Sequence, residues 1–134
     1  MADDTAVNSY PAKARASLAG AESGLAIGRF DNSVNRSYYA CYQAAVAALV
    51  TDRIVPRSQS GRWEHEAVSA QFNGQLIARR KRFPPELRGT LDRLMALRQT
   101  ADYETKQVTE TQADRALRQA RTFVNTVGAG GKRQ

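Results

Sequence analysis

Residue types that build covalent or metal-based sites are scarce in this sequence of 134 residues. Cys41 is the only cysteine, so no disulfide can form within the chain. Cys41 and the only histidine, His65, cannot supply the four ligands of a structural zinc site. No glycine loop is followed by the Lys and the Ser or Thr of a P-loop. The sequence therefore predicts neither a metal site nor a cofactor.

Long apolar runs are also missing. No run approaches the roughly 20 residues that a membrane-spanning helix requires. The first residues, MADDTAVNSY, lack the basic region followed by an apolar one that marks a secretory signal. We therefore expect a cytoplasmic protein with no membrane partner, and the single cysteine agrees with a reducing compartment.

The balance of charge is strongly positive. Lys and Arg number 20 against 13 Asp and Glu, which gives a net charge of +7 and a pI of about 10.1. This excess favours an anionic partner, with nucleic acid or a nucleotide first. A basic surface that serves solubility alone is the alternative interpretation.

Apolar residues recur at the helical period in five segments, and no strand pattern is convincing. The predicted helices are residues 9–27, 32–54, 63–80, 85–103 and 111–127. Asp31 or Asn32 is the expected N-cap of the second helix, and Thr109 or Thr111 that of the fifth. Short links between long amphipathic helices predict an all-α, up-and-down bundle of four to five helices. We expect one domain over residues 9–127 and a disordered tail over residues 128–134.

The second predicted helix contains SVNRSYYACYQAA and is apolar on almost every side. Val34, Tyr38 and Cys41 fall on one face, while Arg36 and Tyr39 fall roughly opposite. Such a helix is buried on more than one side. Either one of its faces meets a second subunit or a ligand, or it is the central helix of the monomer, with tyrosine hydroxyls reaching the rim.

The fourth predicted helix contains a charged residue within its apolar stripe. Arg98 follows Leu91 and Leu94 on that stripe, and Asp102 lies one turn further on. A charge on a core-facing stripe is costly unless it is paired or lines a cleft. Arg98 and Asp102 therefore form either a structural ion pair or a phosphate site, in which Asp102 positions the bidentate guanidinium.

Three segments, NRSYYA, WEHEAVSAQF and RQTADYE, together resemble the HEPN domain superfamily, in particular its small stand-alone branch with NRxYYA and R-x-x-A-D-Y motifs. The resemblance covers roughly residues 12–127. It implies an all-α bundle that forms a homodimer. Many HEPN proteins are metal-independent endoribonucleases, and some are toxins encoded beside a nucleotidyltransferase antitoxin or belong to defence systems.

The resemblance also implies site residues. It places the family arginine at Arg98 and implies a catalytic set of Arg98, Asp102 and Tyr103. The polar set of the second helix falls on Asn35, Arg36 and Tyr39. Apart from the resemblance, Arg80 and Lys81 of the basic run RRKR are either further RNA or nucleotide contacts or part of a solvated run at a helix end, which the helix dipole favours. The family pattern has a histidine where this chain has Tyr103, and tyrosine is a poor base at neutral pH.

Three functions follow from these observations. The first is an RNA-directed, metal-independent endoribonuclease toxin with a composite cleft, centred on Arg98, at a homodimer interface. The second is a non-catalytic module that binds RNA, a nucleotide or a nucleotidyltransferase partner, which the missing histidine favours. The third is a structural bundle without a ligand. His65 could serve the first function if the third helix lines the cleft, and is otherwise a packed side chain.

Overall fold

The computed structural model of the chain describes residues 3–103 and 107–131. The described residues are all-α, with five helices and no strand, as predicted. The helices are α1 (Asp3–Ala26), α2 (Phe30–Thr51), α3 (His65–Gln71, continued by the π-helix Phe72–Arg79), α4 (Thr90–Tyr103, after the 3₁₀ turn Pro85–Leu87) and α5 (Glu110–Gly128). None of these helices combines the length and the apolarity that a bilayer crossing requires.

The central element of the bundle is α2, which packs against α1, α5, α4 and α3. Half of its residues are buried, and they point to every side of the helix: Ser33, Val34, Ser37, Tyr38, Ala40, Cys41, Ala44, Ala45, Val46, Ala47 and Leu49. Many of them are small, so the neighbouring helices approach closely. Packing within the monomer thus covers most of α2, as in the second of the two predicted arrangements, while Tyr39, Tyr42 and Gln43 on one side are only half-buried.

The third predicted helix changes type along its length. Its buried face contains Val68, Phe72 and Leu76. From Phe72 onwards, however, the backbone is π-helical, with hydrogen bonds to the fifth residue back. The ring of Phe72 lies 5.5 Å from that of Phe83 and 5.1 Å from that of Phe123, measured between centroids. This aromatic cluster joins the end of α3 to α5.

Several predicted helix starts differ from the structure, and α1 begins at Asp3, six residues before its predicted start. The segment before α4 forms only a 3₁₀ turn, because Arg88 is extended and Gly89 has a φ of +85°, which interrupts a helix. The N-cap position of α2 is Arg29, not Asp31 or Asn32. The carboxylate of Asp31 instead accepts a hydrogen bond from the backbone N–H of Val108, 3.2 Å away, and so ties the start of α2 to the segment before α5.

The predicted tail, residues 128–134, begins with the last residue of α5. The carbonyl of Gly130 accepts a hydrogen bond from Arg82 Nη2 at 3.0 Å. Gly131 has a φ of +64°, and a Cβ there would lie 2.2 Å from the carbonyl oxygen of Arg82. Residues 132–134 lie outside the described residues. The described start of this segment is thus in contact with the chain that follows the π-helix.

The cap of α5 offers a direct test of the fold. The Thr109 hydroxyl accepts from the Gln112 backbone at 3.1 Å, and the Gln112 side chain accepts from the Thr109 backbone at 2.9 Å. We expect Thr109→Ala to lower the free energy of unfolding by about 1 kcal/mol, because the hydroxyl that accepts from the Gln112 backbone N–H is lost. The matched control is Thr111→Ala, which should leave it unchanged or raise it slightly, since Ala favours a helix interior. Urea unfolding curves measure both, and equal losses would contradict the assigned cap.

Candidate functional site

A pocket of about 530 Å³ lies between α2, α3, α4 and the start of α1. Aromatic and cationic side chains dominate its lining: Tyr10, Tyr38, Tyr39, Tyr42, Trp63, Arg62, His65 and Arg98. We call this the tyrosine pocket. It combines flat apolar rings with positive charge, which is a suitable lining for a ligand with a planar ring and an anionic group.

Arg98 enters the tyrosine pocket from α4. Its guanidinium carbon lies 5.1 Å from the ring centroid of Tyr39 and 5.5 Å from that of Tyr38. Both distances are within the range of cation–π attraction. Its Nη1 also lies 3.6 Å from the sulfur of Met95, one turn earlier on α4. The packing of α2 against α4 thus fixes the position of the guanidinium group.

The other two residues of the predicted catalytic set cannot be placed. Asp102 and Tyr103 belong to the last turn of α4 by their backbone, but their side chains lie outside the described residues. Their roles remain predictions.

The structure divides the predicted RNA-contacting residues of α2. Tyr39 lines the tyrosine pocket with Arg98. Arg36 is exposed and does not line that pocket. Its Cδ would lie 3.6 Å from a Cβ at Gly20, so the arginine crosses α1 where that residue has no side chain. Asn35 is half-buried, and its Oδ1 is buried without a hydrogen-bond partner among the described residues.

Arg80 and Lys81 lie elsewhere, beside the C-terminal end of α2. Arg80 Nη1 donates to the carbonyl of Asp52 at 3.2 Å and lies 3.5 Å from its Oδ2. Arg82 Nη1 donates to Asp52 Oδ1 at 2.7 Å. The run RRKR is therefore anchored at a second surface and does not line the tyrosine pocket.

The structure places His65 in the tyrosine pocket, with a polar contact at each of its ring nitrogens. Its Nδ1 lies 2.8 Å from the hydroxyl of Tyr38, and its Nε2 lies 3.0 Å from Asp92 Oδ1. Ser69 donates to the same carboxylate oxygen at 2.9 Å. A neutral imidazole satisfies both contacts when Nε2–H donates to Asp92 and Nδ1 accepts from Tyr38. One chain of hydrogen bonds thus joins α2, α3 and α4.

Sequence reasoning missed Asp92 as a member of the site. The signal was present, since Asp92, Met95 and Arg98 recur every third residue and so lie along one side of α4. The spacing could not show that this side of α4 faces His65. Asp92 and His65 lie 27 residues apart in the sequence, and their contact depends on how the helices pack.

Burial raises the pKa of two tyrosines in the pocket, Tyr38 and Tyr42. It raises the pKa of Tyr38 well above its ordinary value, and the nearby Arg98, which lowers that pKa, has a weaker effect. Burial also raises the pKa of Tyr42, whose hydroxyl donates to the carbonyl of Trp63 at 2.6 Å. Both hydroxyls therefore keep their protons at neutral pH and act as hydrogen-bond donors. Cys41 is fully buried, and burial raises the pKa of its thiol, so it is not a nucleophile here.

Comparison with known proteins gives one family. A model of the HEPN domain matches residues 8–132, which is nearly the whole chain. No curated protein matches the chain. The all-α bundle described above is the architecture that this match requires.

The raised pKa of Tyr38 predicts an alkaline loss of stability. The unfolded chain releases this proton near pH 10, whereas the folded chain retains it to a higher pH, so the free energy of unfolding falls as pH rises above about 10. One such group contributes a fall of at most about 1.4 kcal/mol per pH unit. We expect Tyr38→Phe to show a shallower fall between pH 9.5 and 11.5 than the wild type, as measured by urea unfolding at each pH. Parallel curves for the two proteins would contradict this assignment.

Proposed function

The chain belongs to the HEPN domain family, and from that premise we propose that it is an RNA-directed protein that binds RNA in the tyrosine pocket. The HEPN family includes ribonuclease toxins and defence modules. The observation that carries the proposal is the guanidinium of Arg98, held against two tyrosine rings in a pocket of about 530 Å³. This group would bind a phosphate of the RNA backbone.

The chemistry of the pocket supports RNA in particular. The planar fork of an arginine binds two phosphate oxygens at once and keeps its charge at every physiological pH. Tyrosine and tryptophan rings stack on unpaired bases, which is the common mode of single-stranded RNA recognition. The net charge of +7 adds a long-range attraction for a polyanion. Asn35 lies one turn before Tyr39 and has a buried Oδ1 with no hydrogen-bond partner among the described residues, which makes it a further candidate contact.

The proposal includes assembly with other chains. HEPN domains typically dimerise and pair with nucleotidyltransferases. We propose a homodimer in which two copies of the tyrosine pocket form one composite cleft, with Asp102 and Tyr103 as the further members of the catalytic set of Arg98. A nucleotidyltransferase is the proposed antitoxin partner. A firm monomer at micromolar concentration, measured by analytical ultracentrifugation, would contradict the composite cleft.

Metal-independent cleavage is the second candidate function, and the position of His65 favours it. In this reaction the ribose 2′-hydroxyl attacks the adjacent phosphate while one group takes its proton and another protonates the leaving 5′-oxygen. Arg98 would stabilise the charge that develops on the phosphate. His65, in the same pocket, would take the 2′-hydroxyl proton at Nδ1 after exchanging its contact with Tyr38 for one with the RNA, and solvent water would protonate the leaving 5′-oxygen. Because both ring nitrogens are engaged here, binding without cleavage is the simpler function of the two.

Binding is tested by replacing Arg98. We expect Arg98→Ala to weaken the binding of a fluorescently labelled single-stranded RNA at least tenfold, measured by fluorescence anisotropy, because the phosphate loses its bidentate partner. Arg115→Ala removes the same charge from an exposed position on α5 and is the matched control. Circular dichroism verifies that both variants are folded. Equal weakening by both variants would contradict a specific phosphate site at Arg98.

Cleavage is tested with the same proteins and total RNA in EDTA. If the second function is right, the wild type produces fragments, whereas His65→Asn lowers the rate by about 10²–10⁴-fold, as expected for the loss of a proton-transfer group. Arg98→Ala should abolish cleavage and relieve any growth inhibition on expression. RNA that is bound but stays intact would leave the chain as a non-catalytic RNA-binding module.

A further inference from the structure

A second cationic surface lies at the C-terminal end of α2, away from the tyrosine pocket. It is formed by Arg53, Arg79 and Lys81 around a depression bounded by residues 51–53 and 79–82. All three side chains belong to exposed residues. Among the described residues, none of the three forms an ion pair. We call these three residues the basic surface.

A buried carboxylate holds the basic surface in shape. The side chain of Asp52 is only 7% exposed and pairs with Arg82 at 2.7 Å and with Arg80 at 3.5 Å. These bonds join the end of α2 to the chain that follows the π-helix. Asp52 is thus paired with two arginines that are not part of the basic surface. The charges of Arg53, Arg79 and Lys81 therefore stay available to a ligand.

The backbone at this surface adopts an uncommon conformation at two positions. Arg53 has a φ of +62° and Lys81 one of +54°, and both line the same depression. A residue with a side chain in this region costs of order 1 kcal/mol or more and persists where the surroundings impose it. Arg53 directly follows Asp52, and Lys81 lies between Arg80 and Arg82, the two arginines that pair with Asp52. These ion pairs therefore fix the backbone from which both cations extend.

The loop after α2 links the basic surface to the tyrosine pocket through further arginines. Arg79 borders a second depression together with Arg57, and Arg62, later in the same loop, lines the tyrosine pocket. Gln71 fixes this loop: it is 5% exposed, its Oε1 accepts from the backbone N–H of Arg57 at 2.7 Å, and its Nε2 donates to the carbonyl of Val55 at 2.8 Å.

Acidic side chains near this path are few. Glu66 borders the depression with Arg57, and Glu64 is hydrogen-bonded to Ser60. With Asp52 neutralised by Arg80 and Arg82, positive charge prevails from the tyrosine pocket to the basic surface.

We infer that Arg62, Arg57 and the basic surface form an arginine track that binds backbone phosphates of the same RNA strand whose phosphate lies at Arg98. This inference rests on the proposed function and adds the class of substrate. From Tyr39 to Thr51, α2 rises about 18 Å at roughly 1.5 Å per residue. A stacked strand covers this distance with about five nucleotides at roughly 3.4 Å each. The substrate is therefore a single-stranded segment longer than about five nucleotides.

A series of RNA lengths tests the track. Single-stranded oligonucleotides of three and of twelve nucleotides are titrated with wild type, Arg98→Ala, the double variant Arg53→Gln/Lys81→Gln, and the control Arg29→Gln/Arg115→Gln. The control removes the same two charges from exposed positions elsewhere. We expect the track variant to weaken binding of the longer RNA about tenfold and to lower its salt slope by about 1.4, at roughly 0.7 per phosphate contact. Binding of the shorter RNA should not change.

The outcomes separate the two proposals. If Arg98→Ala weakens both lengths and the track variant weakens only the longer RNA, the track is supported. If Arg98→Ala weakens both but the track variant matches the control, the track is overturned while the pocket remains the RNA site. If Arg98→Ala matches the control, the proposed function fails, and the track as an extension of the pocket fails with it, whatever the track variant does.

Discussion

The burial of α2 inside the monomer is the constraint on which the rest of the structure depends. A helix in contact with four others needs small or apolar residues on nearly every side, and Ala40, Ala44 and Ala45 are at most 5% exposed. The packing is tight enough that a Cβ at Gly24 would lie 3.3 Å from the backbone nitrogen of Ser33. A buried polar group on such a helix is costly unless a neighbouring helix supplies a partner. Asn35 Oδ1 and Ser37 Oγ have none among the described residues.

The candidate site is built from those obligatory contacts. The buried Ser33 hydroxyl is satisfied by the carbonyl of Ala21 on α1, and Tyr38 by His65 on α3. His65 in turn contacts Asp92 on α4, from which Arg98 reaches the ring of Tyr38. The residues that would bind and transform RNA are thus the same residues that hold three helices together. Their removal affects stability as well as binding, which is why charge-matched variants at exposed positions are informative here.

The basic residues fall into two groups, one paired with acidic residues and one exposed. Buried or partly buried acids such as Asp52 neutralise some arginines and fix the backbone around them. Others, such as Arg53 and Lys81, stay exposed on the surface that this fixation creates. Under the proposed function, the exposed charges raise affinity for any polyanion, whereas Arg98 and the rings around it select the unpaired strand.

Local patterns in the sequence determined the helices and much of the core. Periodic apolar residues predicted the five helices, and the residue preferences of helix N-caps predicted Thr109 as one of two candidate caps for α5. They could not give the change to π-helix after Gln71 or the interruption at Gly89. Phe72 and Leu76 are four residues apart, a spacing that fits either helix type over so short a segment, and a glycine with positive φ gives no signal in an apolar pattern.

The site was determined only partly by sequence. The motif containing Arg98 located one cation within an apolar stripe, because that depends on spacing along a single helix. The contacts of His65 with Tyr38 and with Asp92 each join residues 27 positions apart. Such contacts depend on how helices cross and on their relative rotation, which no local pattern encodes. The sequence by itself thus determined the helices and the identity of the charged groups, and only the tertiary structure decided which of those groups meet.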